Sequence, residues 1–243
     1  MKGWRARIGF LVPPGNPTVE PEMAELTPPG VSLHFTRMNA EGAVGSHAGQ
    51  EERNRTQVES IPSCVRLLAM VRPDVIVLAH TATSYTLGEA REAALVSEME
   101  ALSGARFITA FGSVLAALQR LGVRRVAYAT PYSAEMTARG VQHLEQCGVN
   151  VVSSGHLDNV RNIYEENSER AYAIARKVDR PEAEAIFLSG VGMPTLDALA
   201  PLEQDIGKPV ISAASAMMWH ALRTANIRHG FSGFGRLLSG EFL

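Results

Sequence analysis

A histidine and a run of hydroxyl-bearing residues follow one short apolar segment of the chain. The segment at residues 75–79 is followed by the sequence HTAT, which begins at His80. An imidazole has an ordinary pKa of about 6.5 and therefore exchanges protons near neutral pH. Hydroxyl and backbone N–H groups stabilise a negatively charged oxygen that forms during a reaction. We therefore expect His80 to be a catalytic acid or base, with Thr81, Ala82 and Thr83 beside the substrate.

Three other apolar segments end in short sequences that contain polar residues or glycine. These are PPGN at residues 13–16, TPYS at residues 130–133 and SGVG at residues 189–192. A glycine lets the backbone approach a ligand closely, and backbone N–H groups then bind the ligand's oxygens. Tyr132 supplies a phenol, which we expect to be catalytic together with His80. The substrate-binding residues expected from these segments are Pro14, Asn16, Gly190, Val191 and Gly192.

The same residues also fit structural roles. Thr81 and Thr83 have side chains that favour helix N-termini, and Asn16 precedes a proline in a sequence typical of a helix start. Gly190 and Gly192 fit close packing of the backbone as well as ligand binding. The two kinds of role are compatible, because a residue that caps a helix also positions its neighbours.

Short apolar segments alternate with longer segments of helical pattern along the chain. Continuous apolar strands separated by helices are typical of a parallel sheet that is covered on both faces. We therefore predict an α/β fold. The predicted strands span residues 8–12, 31–35, 75–79, 107–109, 126–129, 151–153, 185–188 and 210–212. Predicted helices between them include residues 56–71, 87–102, 136–147 and 169–178.

An internal repeat indicates that the chain consists of two similar halves. RIGFLVP, which begins at Arg7, matches RVAYATP, which begins at Arg125. Two later sequences, IVLA and GARFITA, match IFLS and GKPVISA in the same order. Ordered matches of this kind suggest duplicated half-domains of about a hundred residues each. Ligands of open α/β sheets bind beyond the carboxyl ends of the strands, so we expect the site in the cleft between the halves.

The composition is that of a folded protein without an evident macromolecular partner. Hydrophobic residues make up 46% of the 243 residues, charged residues 20%, and the formal net charge is −2. A chain without excess positive charge does not attract nucleic acid or an anionic membrane, so we expect neither partner. The two cysteines are far apart and the histidines lack an HxxxH spacing, so we predict no metal site. The N-terminal apolar run is too short for a signal peptide or membrane span, which predicts a cytoplasmic protein.

Several segments resemble two related groups of enzymes. LVPPGNPTVEPEM, which begins at Leu11, resembles the first loop of maleate isomerases, and its two adjacent prolines also resemble arylmalonate decarboxylase. ALQRLGVRRVAYATPYSAEMTARG, LSGVGMPTLDAL and GFGRLL are similar to segments of these enzymes in order and spacing. By this resemblance the chain is identified as a member of the aspartate/glutamate racemase superfamily.

The resemblance implies a fold and an assembly. It implies two pseudo-symmetric half-domains of Rossmann-like or flavodoxin-like type, each with a mostly parallel sheet flanked by helices. Residues 1–117 and about 222–243 would form the first half-domain, and residues 118–221 would form the second. The resemblance further implies no organic cofactor and no metal, a small carboxylate as substrate, and allows a homodimer or a higher homo-oligomer.

The chain departs from the superfamily at two strand ends. Members typically carry a catalytic cysteine at the position of His80, at the position of Gly190, or at both. Cys64 and Cys147 lie in predicted helices and do not replace these cysteines. The resemblance therefore places His80 where the first cysteine of the superfamily is found. Thiol addition would lack its nucleophilic cysteine in this chain, and two-base racemisation would lack its second base.

The resemblance also assigns roles to individual residues. Thr81 and Tyr132 match residues that bind the substrate carboxylate in arylmalonate decarboxylase, although Ala82 stands where that enzyme has a serine. Asn16 and Tyr132 match residues that contact the substrate in maleate isomerases. A further asparagine of the maleate isomerases aligns with Asn159 or, less securely, with Asn162.

Three functional hypotheses follow. The first is a cofactor-independent enzyme that isomerises, decarboxylates or transfers a proton on a small carboxylic or dicarboxylic acid through an enediolate, with His80 as acid or base. The second is a hydrolase or ring-opening enzyme in which His80 activates water. The third is a non-catalytic protein that binds a small acid. Residues 41–49, which contain His47, are a further candidate for a lid over the site.

Overall fold

Two parallel sheets form the centre of the molecule in the computed structural model, which describes residues 2–41 and 49–242. The first sheet consists of β1 (Ala6–Val12), β2 (Val31–Arg37), β3 (Val75–Leu78) and β4 (Arg106–Thr109). The second sheet consists of β5 (Arg125–Thr130), β6 (Asn150–His156), β7 (Ala185–Leu188) and β8 (Val210–Ser212). The strand order is β2-β1-β3-β4 in the first sheet and β6-β5-β7-β8 in the second. The two sheets therefore have equivalent topology.

Helices cover both faces of the sheets. The α-helices of the described residues are α1 (Val19–Glu25), α2 (Gln50–Ala69), α3 (Thr81–Leu87), α4 (Glu89–Ser103), α5 (Ala110–Leu121), α6 (Ala134–Gln146), α7 (Ser168–Val178), α8 (Leu196–Ile206) and α9 (Ala213–Thr224). A short 3-10 helix spans Ile163–Glu165. Because the helices shield both faces, the short strands β3 (VIVL) and β7 (AIFL) are completely buried.

Side-chain caps fix the change from strand to helix at equivalent points of the two sheets. Thr109 Oγ1 accepts the N–H of Gly112 at 2.9 Å at the start of α5. Ser212 Oγ accepts the N–H of Ser215 at 3.1 Å at the start of α9. The first N–H groups of a helix have no partner inside the helix, so a hydroxyl at this position stabilises the helix start. The ITA and ISA sequences of the internal repeat contain these two caps.

One apolar core extends through both sheets. It contains Phe10 of β1, Phe111 of α5, Tyr128 of β5 and Met217 of α9, all almost completely buried. Helices α5 and α9 pack against each other where the two halves meet. A second apolar cluster lies on the other face of the first sheet, beneath α2 and α4.

The predicted α/β fold is confirmed, and each predicted strand corresponds to an observed one. The predicted start of α2 at residue 56 is wrong, because the helix begins at Gln50. The additional residues have the sequence QEERNR, which contains no apolar side chain. A helix cannot be recognised from apolar periodicity in such a segment.

The bounds of the two half-domains stay a prediction. The C-terminal segment, which the prediction assigns to the first half-domain, contacts residues that the prediction assigns to the second. The N–H of Arg236 donates to Glu203 Oε2 of α8 at 2.8 Å, and Trp219 Nε1 of α9 donates to the carbonyl of Phe242 at 3.3 Å. The guanidinium of Arg120 in α5 lies 5.7 Å from the ring centre of Phe242.

Two further expectations concern the surface. The expected lid at residues 41–49 lies, except for its first and last residues, outside the described part of the chain, and so does His47. Within residues 2–41 and 49–242, no helix is both long enough and apolar enough to cross a bilayer.

Candidate active site

A narrow cleft lies where the chain leaves β1, β3, β5 and β7. Its open volume is about 20 Å³, which holds little more than one water molecule. A larger depression of about 570 Å³ beside α5 is lined by no histidine and no hydroxyl side chain. The chemistry therefore points to the smaller cleft. Its described lining residues are Pro13, Asn16, Arg53, Asn54, Gln57, His80, Tyr132, Ile163, Tyr164, Val191 and Gly192.

His80 is the residue of the cleft best suited to move a proton. It follows β3 and forms the N-cap of α3, and its side chain is buried. Its Nδ1 lies 2.8 Å from Thr83 Oγ1. When Nδ1 carries the hydrogen and donates it to Thr83, the lone pair of Nε2 is free to accept a proton. None of the described residues forms a hydrogen bond with Nε2.

The surroundings keep this imidazole neutral. Burial, and secondarily the positive charge of Arg53, lower the pKa of His80 to about 4. Both influences disfavour the imidazolium. At neutral pH the His80 side chain that lines the cleft is therefore an uncharged imidazole, which can donate or accept a hydrogen bond. A bound carboxylate acts in the opposite direction and raises the pKa of His80.

Tyr132 links the two halves directly at the cleft. Its hydroxyl lies 2.9 Å from Thr81 Oγ1, which belongs to the first turn of α3. The N–H of Tyr132 donates to Thr130 Oγ1 at 2.8 Å and fixes the turn after β5. Burial raises the pKa of Tyr132, so its side chain remains a neutral phenol. The pair of hydroxyls can therefore donate a hydrogen bond to an anionic oxygen.

The Gly190 segment, residues 189–192, contributes Val191 and Gly192 to the lining of the cleft. Gly190 has a φ of +95°, which favours glycine, and a Cβ at this position would lie 2.9 Å from Pro131 Cγ and Cδ. A Cβ on Gly192 would lie 2.8 Å from the ring of Tyr164. These residues therefore lack side chains for steric reasons.

Asn16 joins the first loop to the Gly190 segment. Its Oδ1 accepts the N–H groups of Thr18 and Val19 at 2.8 and 3.0 Å, and its Nδ2 donates to the carbonyl of Val191 at 3.0 Å. Thr18 Oγ1 donates to the carbonyl of Gly192 at 2.9 Å. The Asn16 side chain thus holds both halves together at the edge of the cleft.

Arg37 at the end of β2 fixes the path of the same loop. Its Nη1 donates to the carbonyls of Pro13, Pro14 and Asn16 at 3.3, 3.2 and 2.9 Å. Its Nη2 pairs with Glu20 at 2.6 Å. Because three carbonyls bind one guanidinium, the PPGN turn is held in a single shape.

Helix α2 contributes a polar strip that the sequence did not predict as part of the site. Arg53, Asn54 and Gln57 are buried and line the cleft. Asn54 Nδ2 donates to Thr86 Oγ1 at 3.2 Å. The one available signal was the spacing of Arg53 and Gln57, which places them on one helix face once α2 is known to begin at Gln50.

Tyr164 is another residue of the cleft that the sequence did not identify. It lies in the 3-10 helix between β6 and α7. Burial raises the pKa of Tyr164 to about 12, although Arg53 and Arg37 act in the opposite direction. The described cleft thus contains one cation, Arg53, and its described lining includes no acidic residue. It suits an anionic ligand.

Many of the residues predicted from the sequence meet at the cleft. Those that line it are Asn16, His80, Tyr132, Val191 and Gly192. Those that neighbour a lining residue in the chain, or lie in the first turn of α3, are Pro14, Thr81, Ala82, Thr83 and Gly190. Contact of any of them with a substrate stays a prediction.

Asn159 and Asn162 are not among the lining residues. Asn159 has a φ of 57° and lines a separate depression with Lys177. Asn162 Oδ1 accepts the N–H of Tyr164 at 3.0 Å and caps the 3-10 helix. Asn162 therefore supports the cleft through Tyr164, and a direct contact of Asn159 with substrate stays a prediction.

A buried network lies behind the two strand ends. Tyr85 Oη of α3 lies 3.0 Å from Ser189 Oγ, and Tyr128 Oη donates to Tyr85 Oη at 3.1 Å. Ser189 directly precedes Gly190. The network therefore connects α3, which follows His80, with the strand that leads to the glycine segment.

Metal binding has no candidate ligand set in the parts of the chain that are described. No group of three or more histidine, cysteine, aspartate or glutamate residues lies close enough there to hold an ion. Among the lining residues, His80 alone is of these types.

Comparisons with known proteins relate the whole chain to one family. The family model for arylmalonate decarboxylase matches residues 8–238. The chain is 32% identical to a maleate isomerase of Nocardia farcinica, covering 96% of this chain and 95% of the relative. It is 31% identical to an arylmalonate decarboxylase of Bordetella bronchiseptica, covering 95% of each chain.

A solved structure agrees with this relationship. A cysteine-to-serine variant of the Nocardia farcinica maleate cis-trans isomerase, with a covalently bound succinylcysteine intermediate, has a TM-score of 0.88 and 29% identity. The match covers 96% of this chain and 98% of the isomerase. The family model and the structural match both extend over nearly the full length, and the chain belongs to the arylmalonate decarboxylase family.

Proposed function

We propose that this protein is a cofactor-independent isomerase or decarboxylase that acts on a small carboxylic or dicarboxylic acid through an enediolate. His80 is the acid or base that transfers the proton at the carbon next to the carboxylate. One observation carries the proposal: His80, Tyr132 and the backbone of Val191 and Gly192 line the same cleft. Membership of a family that contains maleate isomerases and arylmalonate decarboxylases supports it.

The position of His80 suits proton transfer at carbon. Nδ1 is engaged by Thr83, so the ring orientation is fixed and Nε2 is the atom available for chemistry. The substrate carboxylate, which pairs with the positive charge of Arg53, offsets the smaller of the two influences that lower the pKa of His80, while burial still acts. Substrate binding thereby moves His80 towards the pKa range in which general acid–base catalysis is efficient.

The enediolate requires hydrogen-bond donors that are already in place. The Tyr132 and Thr81 hydroxyls, 2.9 Å apart, can direct hydrogens to one carboxylate oxygen. Such donors act strongly in a site from which water is excluded, because they need no reorientation during the reaction. The small open volume of the cleft is consistent with exclusion of water.

Decarboxylation requires only one acid, because a single proton is added to the α-carbon. The C–C bond to the leaving carboxylate breaks, carbon dioxide departs, and the electron pair becomes the enediolate. The His80 imidazolium then gives its proton to the α-carbon, and solvent restores that proton. For proton exchange without loss of carbon dioxide, neutral His80 first removes the α-proton and later returns one.

A mechanism through a cysteine adduct is disfavoured in this chain. Cys64 lies within α2, where its Sγ contacts the carbonyl of Arg37 at 3.6 Å, and Cys147 follows α6. Neither lines the cleft. Proton transfer by His80 therefore fits the described residues better than thiol addition.

The proposal includes the organisation of the molecule. We infer that residues 1–117 with about 222–243, and residues 118–221, are half-domains related by a pseudo-twofold axis. The equivalent strand order and the equivalent caps at Thr109 and Ser212 support this relation. The cytoplasmic location and the homo-oligomer expected from the sequence stay predictions.

The test is incubation of the protein with maleate, arylmalonates, and small lactams or hydantoins in deuterated water, followed by NMR. Deuterium at the α-carbon, double-bond isomerisation or loss of carbon dioxide supports the proposal. Incorporation of solvent oxygen into the product indicates a hydrolase instead. A ligand that raises the melting temperature but emerges unchanged indicates a binding protein.

A further inference from the structure

The side chain of Gln57 is an unsatisfied amide in the wall of the cleft. Gln57 lies in α2, is 4% exposed and lines the cleft. Its Oε1 is fully buried and has no hydrogen-bond partner among the described residues. Its Nε2 forms no hydrogen bond with any of them either. Both the acceptor and the donor of this amide are therefore available.

The backbone that carries this amide is held in place. Ser60 Oγ donates to the backbone carbonyl of Gln57 at 2.8 Å, and Gln57 lies near the middle of the well-packed α2 helix. Buried polar groups in proteins are nearly always hydrogen-bonded, and an orphaned one indicates a missing partner or a functional role. The cleft is the space into which such a partner fits.

The neighbouring residues restrict what the partner can be. The nearby Asn54 amide is engaged by Thr86, so it does not supply the missing bonds. The cation of the cleft is Arg53, one helical turn before Gln57, and it suits a carboxylate. An amide that offers one donor and one acceptor matches a neutral group with the reverse pair.

We propose that the substrate carries, in addition to its carboxylate, a planar amide group such as a carboxamide, lactam or ureide that pairs with Gln57. This inference rests on the proposed function, because it assigns the substrate class of the same cleft. The two amides form reciprocal N–H to O=C hydrogen bonds, while the carboxylate binds on the side of Arg53 and Tyr132. Gln57 is then the residue that distinguishes amide-bearing acids from plain dicarboxylic acids.

Binding measurements test this without requiring turnover. The intact protein is titrated by calorimetry with malonamate, succinamate and glutaramate, and with malonate, succinate and glutarate. We expect at least one monoamide to bind about tenfold or more tightly than the diacid of the same length, as is typical of one or two added hydrogen bonds. If every diacid binds as tightly as its monoamide, the inference is overturned.

Two variants assign the preference to Gln57. Gln57→Leu removes the donor and the acceptor and is expected to abolish the preference, with an unchanged or higher melting temperature because an unsatisfied group is removed. Gln57→Glu retains the shape but places a carboxylate in the cleft, which repels the second carboxylate of a diacid and still accepts an N–H of a monoamide, so it is expected to retain or increase the preference for the monoamide. Gln142→Leu, at an exposed position of α6, is the matched control and should retain the preference.

The outcomes separate this inference from the proposed function. Retention of the preference in Gln57→Leu overturns the inference, whatever the catalytic result. A preference that depends on Gln57, combined with no chemical change of any acid in deuterated water, supports the inference and contradicts the proposed reaction. His80→Ala is expected to keep the preference for the monoamide over the diacid, because the His80 side chain acts on the α-carbon and not on the amide group.

Discussion

His80 and Gly190 follow equivalent strands, β3 and β7, yet the chain continues differently after each. After β3 a helix begins at once, and its first residues carry hydroxyls that bind His80 and Tyr132. After β7 the chain passes through a glycine with positive φ, and the next helix begins only at Leu196. Equivalent strands are thus followed by a histidine side chain after β3 and by backbone without a side chain after β7.

Under the proposed function, this difference assigns different roles to the residues that follow the two sheets. The half that contains β3 holds His80, the proposed acid or base, and the polar strip of α2. The second half holds the phenol of Tyr132 and a backbone segment that side chains would block. In the proposed mechanism a ligand in the cleft meets one proton-transferring group, His80, whereas a two-base racemase would need a second such group on the opposite face of the carbon.

Removal of the His80 imidazole is expected to have the largest effect among the changes that test this comparison of the two strand ends. In His80→Ala, turnover is expected to fall about 10²- to 10⁴-fold, which is typical when a general acid or base is lost. The measurement is the rate of α-deuteration or carbon dioxide release under saturating substrate. His156→Ala is the matched control, since His156 ends β6 and lies outside the cleft lining. Full activity of His80→Ala would contradict the assignment of the base.

Addition of a side chain at the other strand end should mainly affect stability. In Gly190→Ala the positive φ and the contact with Pro131 are expected to lower the free energy of unfolding by about 2–4 kcal/mol. Gly122→Ala, where φ is +70° and no atom lies within 4 Å, should lose only about 1 kcal/mol. Urea unfolding of both variants measures the difference, and equal losses would show that Pro131 is not a barrier.

Removal of one of the Tyr132 and Thr81 hydroxyls, which lie 2.9 Å apart, is expected to have a smaller effect on turnover. Tyr132→Phe and Thr81→Val are each expected to lower turnover about tenfold, because one hydrogen bond to the anionic intermediate is lost. The double variant should be little worse than either single one if the hydroxyls act as a unit. Steady-state kinetics of the cycle provides the measurement. Additive losses would mean that the two hydroxyls act separately.

The most gradual expected effect, spread over more than two pH units, concerns Glu22, which joins α1 to the helix behind the glycine segment. Glu22 Oε1 accepts the N–H groups of Thr195 and Leu196 at 2.6 and 2.9 Å, while Oε2 has no hydrogen bond among the described residues. Burial raises the pKa of Glu22 to about 7 from its usual 4.5, although these N–H groups act in the opposite direction. Folding therefore favours the protonated form.

The sign of the pH dependence follows from this shift. The contribution of Glu22 to stability is complete below pH 4.5 and is lost as the pH rises to about 7. In Glu22→Gln this slope should disappear, which changes the free energy of unfolding by at most about 1.4 kcal/mol per pH unit. Urea unfolding at several pH values between 4.5 and 8 measures it. Parallel curves for the wild type and the variant would contradict the raised pKa.

The sequence predicted the strands and the strand-end residues because both depend on local patterns. Buried parallel strands are continuous apolar runs, and His80 and Tyr132 directly follow such runs. Arg53 was missed because QEERNR has no apolar periodicity, and its polar face turns towards the cleft rather than solvent. Tyr164 was missed because the path of a loop depends on distant contacts, such as that of its ring with Gly192.

The apolar core shared by the two sheets determines when the site can exist. Met217 of α9 and Phe111 of α5 belong to the same core as Phe10 of β1. On the ribosome, an emerging chain that has completed only its first sheet still lacks the apolar partners that α9 and β5 supply. Such a nascent chain exposes part of its future interior and has no Gly190 segment opposite His80. The proposed site can therefore capture a ligand only after nearly the whole polypeptide has been synthesised.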